Sequence, residues 1–246
     1  MTLDEERLRR FTAWLPDIDD DRAYVVQVML RPWKSGHEGL PRSGLLHLEL
    51  VEGGCCWRER LETAVRRAAL IASRSSETLV TVKGSSLVHP PPDAVAVYTR
   101  VNPSVLHRAA TRLCIEHIED LEARAYGGAS GPPRLFSRLA SVLARSLETR
   151  FHTLDVEDEE LLRALAERLH TTLGVELGVV KTRRGGHILI PVTLLDEERA
   201  RLLFRELLPE VLRRYRGLVE HKREGLEPTP GTLYKGVIVD FIVWNG

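Results

Sequence analysis

The sequence predicts an α+β fold in two parts. An N-terminal αβ module spans residues 1–133, and a β-α-β-β-α-β core spans residues 134–246. Three observations carry this reading. The 246 residues are 43% hydrophobic and 28% charged, an ordinary globular composition and enough chain for one large domain or two small ones. Short apolar runs of strand character alternate with stretches of helical period. The clearest break is Tyr126-Gly-Gly-Ala-Ser-Gly-Pro-Pro133, where glycine and proline remove both periodicities, so the boundary is placed there.

The elements follow in order. Residues 3–14 read as a short helix. Residues 22–30, with Tyr24-Val25-Val26-Gln27-Val28-Met29-Leu30, read as a buried strand, and 45–51 as its partner beyond a Gly/Pro-punctuated loop. Gly53-Gly54 interrupts the pattern before a helix over 57–73. Strands are expected at 78–82 and 95–99, joined through the rigid Pro90-Pro91-Pro92. Asn102-Pro103-Ser104 is expected to open a helix running to about residue 124. A helix over about 134–147 leads into the second part. There, 150–156 is a strand, and 158–172 is a helix with Leu161, Leu162, Leu165 and Leu169 on one face, stopped by Gly174. Strands at 175–182 and 187–192 flank a turn at 184–186. A helix over 196–214 and a strand over 216–221 complete the unit, and a last strand spans 236–244. The order β-α-β-β-α-β implies a four-stranded antiparallel sheet with two helices on one face.

Charge and cysteine usage narrow the function. Lys+Arg and Asp+Glu are both 35, so a broad basic coat for nucleic acid is excluded, although a small basic cleft is not. Thirty of the 35 basic residues are arginine, the residue suited to bidentate phosphate contacts, although a GC-rich genome yields the same bias. No run of 18 apolar residues is present, so no membrane span is expected, and the charged Met1-Thr2-Leu3-Asp4-Glu5-Glu6-Arg7 is not a signal core. Three cysteines, two of them adjacent, argue against a disulfide scaffold and point to the cytoplasm. Cys114-Ile-Glu-His117 has zinc-ligand spacing without a second pair, so a packed cysteine and a surface histidine are expected.

Three places can carry chemistry. In Leu154-Asp155-Val156-Glu157-Asp158, Asp155 and Glu157 are two apart on a strand and share a face. Carboxylates held that close favour a cation between them, and oxygen donors suit Mg²⁺ or Mn²⁺. Glu157 and Asp158 also suit the start of the following helix, and Asp158 can cap it while Asp155 and Glu157 bind metal. In Lys181-Thr182-Arg183-Arg184-Gly185-Gly186-His187, three cations precede two glycines whose backbone N–H groups are expected to be accessible. That combination can hold a triphosphate, or can form a plain Gly-Gly hairpin turn. Glu220, in Val219-Glu220-His221, lies on the strand expected beside that of Asp155 and can supply a third acid. Pro230-Gly231-Thr232-Leu233 follows it.

Taken together, this succession resembles the archaeo-eukaryotic primase superfamily. Asp155-Val156-Glu157 resembles its acid–hydrophobic–acid motif. Gly185-Gly186-His187 resembles the motif ending in histidine, with glycine where serine is commoner. Val219-Glu220 resembles the hydrophobic–acid motif, with glutamate where aspartate is usual, and Asp240 is the fallback third acid. The resemblance covers about residues 149–236, and Asn102-Pro103 is similar to a short motif of small primase–polymerases.

The resemblance implies an RRM-like catalytic core and a template-dependent nucleotidyltransferase acting with two divalent ions, Mg²⁺ or Mn²⁺. It implies that Asp155, Glu157 and Glu220 hold the ions. It further implies that His187, Lys181, Arg183, Arg184, Gly185, Gly186 and Lys235 contact a nucleoside triphosphate. The partners would be nucleoside triphosphates and a DNA template with primer, with no membrane. The alternative is a catalytically degenerate relative acting as a nucleic-acid-binding or scaffolding module. Base stacking on the sheet, as in single-stranded RNA binders, is disfavoured because Phe151 has no aromatic partner on the central strands. A nuclease or phosphodiesterase is disfavoured because no histidine cluster accompanies Asp155.

Overall fold

The computed structural model describes residues 3–31, 40, 44–77, 80–81, 87–125, 135–222 and 225–245. The first part contains α1 (Glu5–Trp14), β1 (Arg22–Leu30), β2 (Gly44–Glu52), α2 (Trp57–Ser73), the short β3 (Val80–Thr81) and β4 (Leu87–Val88), β5 (Val95–Val105) and α3 (Leu106–Ala125), and α4 (Leu135–Arg145) leads into the second. The second contains β6 (Phe151–Val156), α5 (Glu159–Leu173), β7 (Leu177–Lys181) and β8 (Gly186–Pro191). It continues with α6 (Glu197–Leu202), α7 (Leu208–Arg214), β9 (Val219–Lys222), β10 (Leu226–Pro228), β11 (Leu233–Tyr234), β12 (Val237–Ile238) and β13 (Asp240–Trp244).

The fold is α+β with antiparallel sheets. One sheet runs β10-β5-β1-β2 and the other β13-β7-β8-β6-β9. Helix boundaries follow side-chain chemistry. Asp4 caps α1 by accepting from the N–H groups of Glu6 and Arg7, and Asp158 caps α5 by accepting from Leu161 N–H. Gly174, at φ 62°, ends α5 in the left-handed conformation. The expected single helix over 196–214 is interrupted between α6 and α7 by a π-helical turn, Leu203–Leu207. Pro209 has no N–H to donate and its ring crowds the preceding turn, so the α ladder cannot run through unbroken.

Two apolar layers position the second sheet. On one face Leu154, Val156, Ile188 and Ile190 pack with Leu162, Leu165, Leu169, Leu203 and Val211 of the helices. On the other face Phe151, Val180, Leu189 and Phe241 join a core containing Phe11, Tyr24, Val26, Val28 and Leu61 from the first part. The two parts therefore share one core, and β10, from the C-terminal part, pairs with β5 in the first sheet.

Several local expectations are revised. Asn102-Pro103-Ser104 does not open a helix. It continues β5, and α3 starts at Leu106. Asn102 is buried there and ties β5 to β6, donating to Phe151 O at 2.9 Å and accepting the N–H groups of Arg150 and Phe151 at 2.8 Å each. The strand expected over 216–221 is Val219–Lys222, and the last strand is broken into β12 and β13. Cys114 is exposed rather than packed, as are Cys55 and Cys56. The expected break at 126–133 lies outside the described residues, as does part of the 78–82 strand. No helix among the described residues is long and apolar enough to cross a membrane.

Candidate active site

The antiparallel register places one residue from each strand of the second sheet in a single row. Phe241 of β13 pairs with Val180 of β7, Val180 with His187 of β8, His187 with Asp155 of β6, and Asp155 with Glu220 of β9. Directly paired residues share a face, so the row passes from the core to the solvent edge. Phe241 and Val180 are fully buried, His187 is 7% exposed, and Glu220 is exposed. The expected acids and histidine at 155, 187 and 220 thus meet, although 32 or 33 residues separate them along the chain.

His187 is held from both sides. Its Nε2 lies 3.3 Å from Asp155 Oδ1, and its Nδ1 contacts the Glu227 carboxylate. Glu227 sits on β10 in the facing sheet, is 1% exposed, and also accepts from Thr153 Oγ1 at 2.8 Å. Burial disfavours an imidazolium here, but the charge of Glu227 and the hydrogen bond to Asp155 outweigh it, and the His187 pKa is pushed up to about 10. Both ring nitrogens are therefore engaged. His187, expected to contact a triphosphate, instead has both ring nitrogens against carboxylates, those of Asp155 and Glu227.

Asp155 has a second cation. Lys222, on β9 two residues beyond Glu220, places Nζ against Asp155 Oδ2. Burial raises the Asp155 pKa, but the His187 hydrogen bond and charge, followed by Lys222, more than offset this and hold the carboxyl well below the usual range. Burial likewise works against the Lys222 ammonium, and Asp155 raises its pKa overall. A pocket of about 270 Å³ opens beside Asp155, lined also by Glu157, Gly217, Leu218, Val219 and Glu220. A larger groove of about 440 Å³ lies between β2 and α2, and its two arginines are already paired. Arg67 pairs with Glu49, and Arg60 donates to the Glu52 and Gly53 carbonyls at 2.7 Å each.

The β7–β8 turn differs from expectation. Gly185 and Gly186 are buried, so they do not form a solvent-open cradle. A Cβ on Gly185 would collide with the Val156 carbonyl oxygen and lie 2.9 Å from Asp158 N. The glycine lets the turn close onto the backbone that follows β6. Gly185→Ala is expected to destabilise the fold by about 1–3 kcal/mol, as overpacking does. Urea unfolding checks this, and an unchanged midpoint would contradict the close approach. Lys181 pairs with Glu159 at 2.9 Å, while Arg183 and Arg184 are exposed on the turn. Lys235 lies over the Tyr234 ring at 5.1 Å, on the separate β11–β12 hairpin.

Asp240 is corrected as the fallback third acid. It stands three strands from Asp155, about 14 Å at ordinary strand spacing. It neighbours Phe241 and so belongs to the opposite face, and it is bound by Arg7 at 3.2 Å and Arg10 at 3.4 Å. Glu220 is the acid beside Asp155.

Sequence reasoning missed Lys222 and Glu227. Lys222 was legible in principle, because it shares a strand face with Glu220. Glu227 was not: its partner strand β5 is more than 120 residues earlier, and only the stacking of the two sheets brings it to His187.

The donor set Asp155, Glu157 and Glu220 consists of carboxylates on one pocket wall, the chemistry suited to a hard divalent cation, and a cation, the Lys222 ammonium, already lies on Asp155. As the side chains stand, no group of three His, Cys, Asp or Glu residues among the described residues is gathered closely enough to enclose an ion. The residues fit such an ion in chemistry. No family model matches the chain, and comparison with curated proteins and with solved structures gives no significant match.

Proposed function

We propose that this protein is a template-dependent nucleotidyltransferase of the primase–polymerase kind. One observation carries the reading: His187, Asp155 and Glu220 stand side by side on β8, β6 and β9, at the edge of an acid-lined pocket. The strand order β7-β8-β6-β9 of the β-α-β-β-α-β unit, with α5 and the α6–α7 segment packed on one face, supports an RRM-like core.

In this reading Asp155, Glu157 and Glu220 would hold Mg²⁺ or Mn²⁺, which when bound supplies activation of a primer hydroxyl and charge stabilisation at the phosphates. The chain's own residues do the rest. The imidazolium of His187, fixed by Glu227, orients Asp155 and keeps it ionised. Glu157 and Glu220 present carboxylates at the solvent side. Arg183 and Arg184, on the turn that closes against residues 156–158, offer guanidinium groups for phosphate contacts. DNA binding without metal is then weak and salt-sensitive, as the neutral net charge requires.

Labelled-nucleotide incorporation on primed and unprimed templates, with Mg²⁺ or Mn²⁺, tests the reading. Glu220→Gln is expected to lower incorporation by about 10²-fold or more, whereas Asp240→Asn leaves it near the wild-type rate. The reverse pattern would overturn the assignment of the third acid. One observation favours the degenerate alternative: Lys222 already neutralises Asp155. Template binding without incorporation in either metal would establish that alternative.

A further inference from the structure

We infer that Lys222 is a tethered cation that occupies the place of a divalent ion on Asp155 and, once displaced, serves as a polyphosphate contact at the same pocket. This rests on the reading above and adds a coupling between metal and triphosphate binding.

The geometry is specific. Lys222 and Glu220 are two apart on β9, so both project to the face of the sheet that carries Asp155. The Lys222 Nζ contacts Asp155 Oδ2, while Asp155 Oδ1 is taken by His187 at 3.3 Å. The two partners differ in freedom. His187 is 9% exposed in its side chain and locked by Glu227, whereas Lys222 is 38% exposed and reaches Asp155 from the solvent edge. Of the two cations on Asp155, only the lysine can leave without unpacking the core. Its four-carbon stem lets the ammonium swing outward while the backbone stays in the β6–β9 ladder.

The charge balance gives the exchange its direction. The pocket carries Asp155, Glu157 and Glu220, and Lys222 neutralises one of these three carboxylates. A divalent ion brings twice the charge of the ammonium to the same carboxylate. The released ammonium then lies at the rim beside a bound cation, where the most favourable partner is an anion with several charges. A triphosphate coordinated by the same metal supplies that partner. No bond is made or broken in this exchange. One cation replaces another on a carboxylate, and the displaced one moves to an anion.

Two binding measurements test it, each on the full chain. Mn²⁺ binding is followed by the loss of the free-ion electron paramagnetic resonance signal. Inorganic triphosphate binding is followed by calorimetry at saturating Mn²⁺. Lys222→Met removes the charge and keeps the stem. It is expected to bind Mn²⁺ about tenfold or more tightly than wild type, since a charged hydrogen bond no longer competes. It is also expected to lose about tenfold in triphosphate affinity. Asp155→Asn is expected to lose Mn²⁺ binding. Lys222→Gln provides a second neutral variant should Lys222→Met not fold. Unchanged or weaker Mn²⁺ binding in the Lys222 variants, or unchanged triphosphate affinity, would overturn the inference. Its failure is separable from failure of the enzymatic reading. Wild-type incorporation with no Lys222 effect on Mn²⁺ sinks only the exchange. Opposite shifts in the two affinities without any incorporation sink only the polymerase.

Discussion

Asp155→Asn is expected to abolish nucleotide incorporation while leaving the fold intact. Asp155 is the only residue of the row that touches both His187 and Lys222, and it also lines the pocket with Glu157 and Glu220. Asparagine keeps the size and one oxygen but loses the negative charge that attracts a divalent ion. A loss of at least about 10²-fold in rate is expected, the scale seen when a group that stabilises transition-state charge is removed. The unfolding midpoint should move much less, because Asp155 is partly exposed and its partner Lys222 can reach water. Labelled-nucleotide incorporation beside a denaturation curve separates the two effects. Full incorporation by Asp155→Asn would remove the basis of the proposed activity.

The largest effect on stability is expected at His187. Its imidazolium is the counter-charge of Glu227, which is 1% exposed. His187→Ala leaves a buried carboxylate without its cation, a change that typically costs about 3–5 kcal/mol. The pH dependence provides a second signature. The folded pKa of His187 is raised to about 10, above the ordinary value of 6.5. The imidazolium's contribution is therefore fully present below about pH 6.5 and is lost progressively as pH rises towards 10. Asp155 acts in the opposite sense. Its depressed pKa contributes stability above the ordinary carboxylate range, and that contribution is lost on acidification. Urea unfolding of the wild type should therefore weaken from pH 7 to pH 9, and His187→Ala should flatten this part of the profile. A variant that loses under about 1 kcal/mol and keeps the wild-type slope would show that the His187–Glu227 contact does not hold the sheets together.

How far the sequence could be read is clearest along β6. The alternation of Phe151, Thr153 and Asp155 with Leu154 and Val156 marks a strand with two different faces. Strand β8 was legible instead as a short apolar run directly after the Gly185-Gly186 turn. The acid pair and the histidine stand out because polar residues interrupt apolar runs. Glu220 was preferred to Asp240 only through the Pro230-Gly231-Thr232-Leu233 that follows it, since both acids follow a valine on a strand. The choice came from register: Asp240 is three strands away and on the alternate face. The glycines at 185 and 186 misled, because a Gly-Gly turn can open to solvent or close on a neighbour. Only the packed backbone of residues 156–158 decides which.

The sequence by itself determined the succession of strands and helices from β6 to β9, apart from the π-helical turn between α6 and α7, and the identity of Asp155, His187 and Glu220 as the residues to watch. These rest on periodicity and on local chemistry, which act over a few residues. The tertiary structure alone decided that Glu227 buries its charge against His187, and that Lys222 sits on Asp155. Both contacts join strands brought together by sheet pairing and by a core shared between the two sheets. Such partners are fixed by where apolar surface can be buried, and no short-range pattern in the chain encodes that.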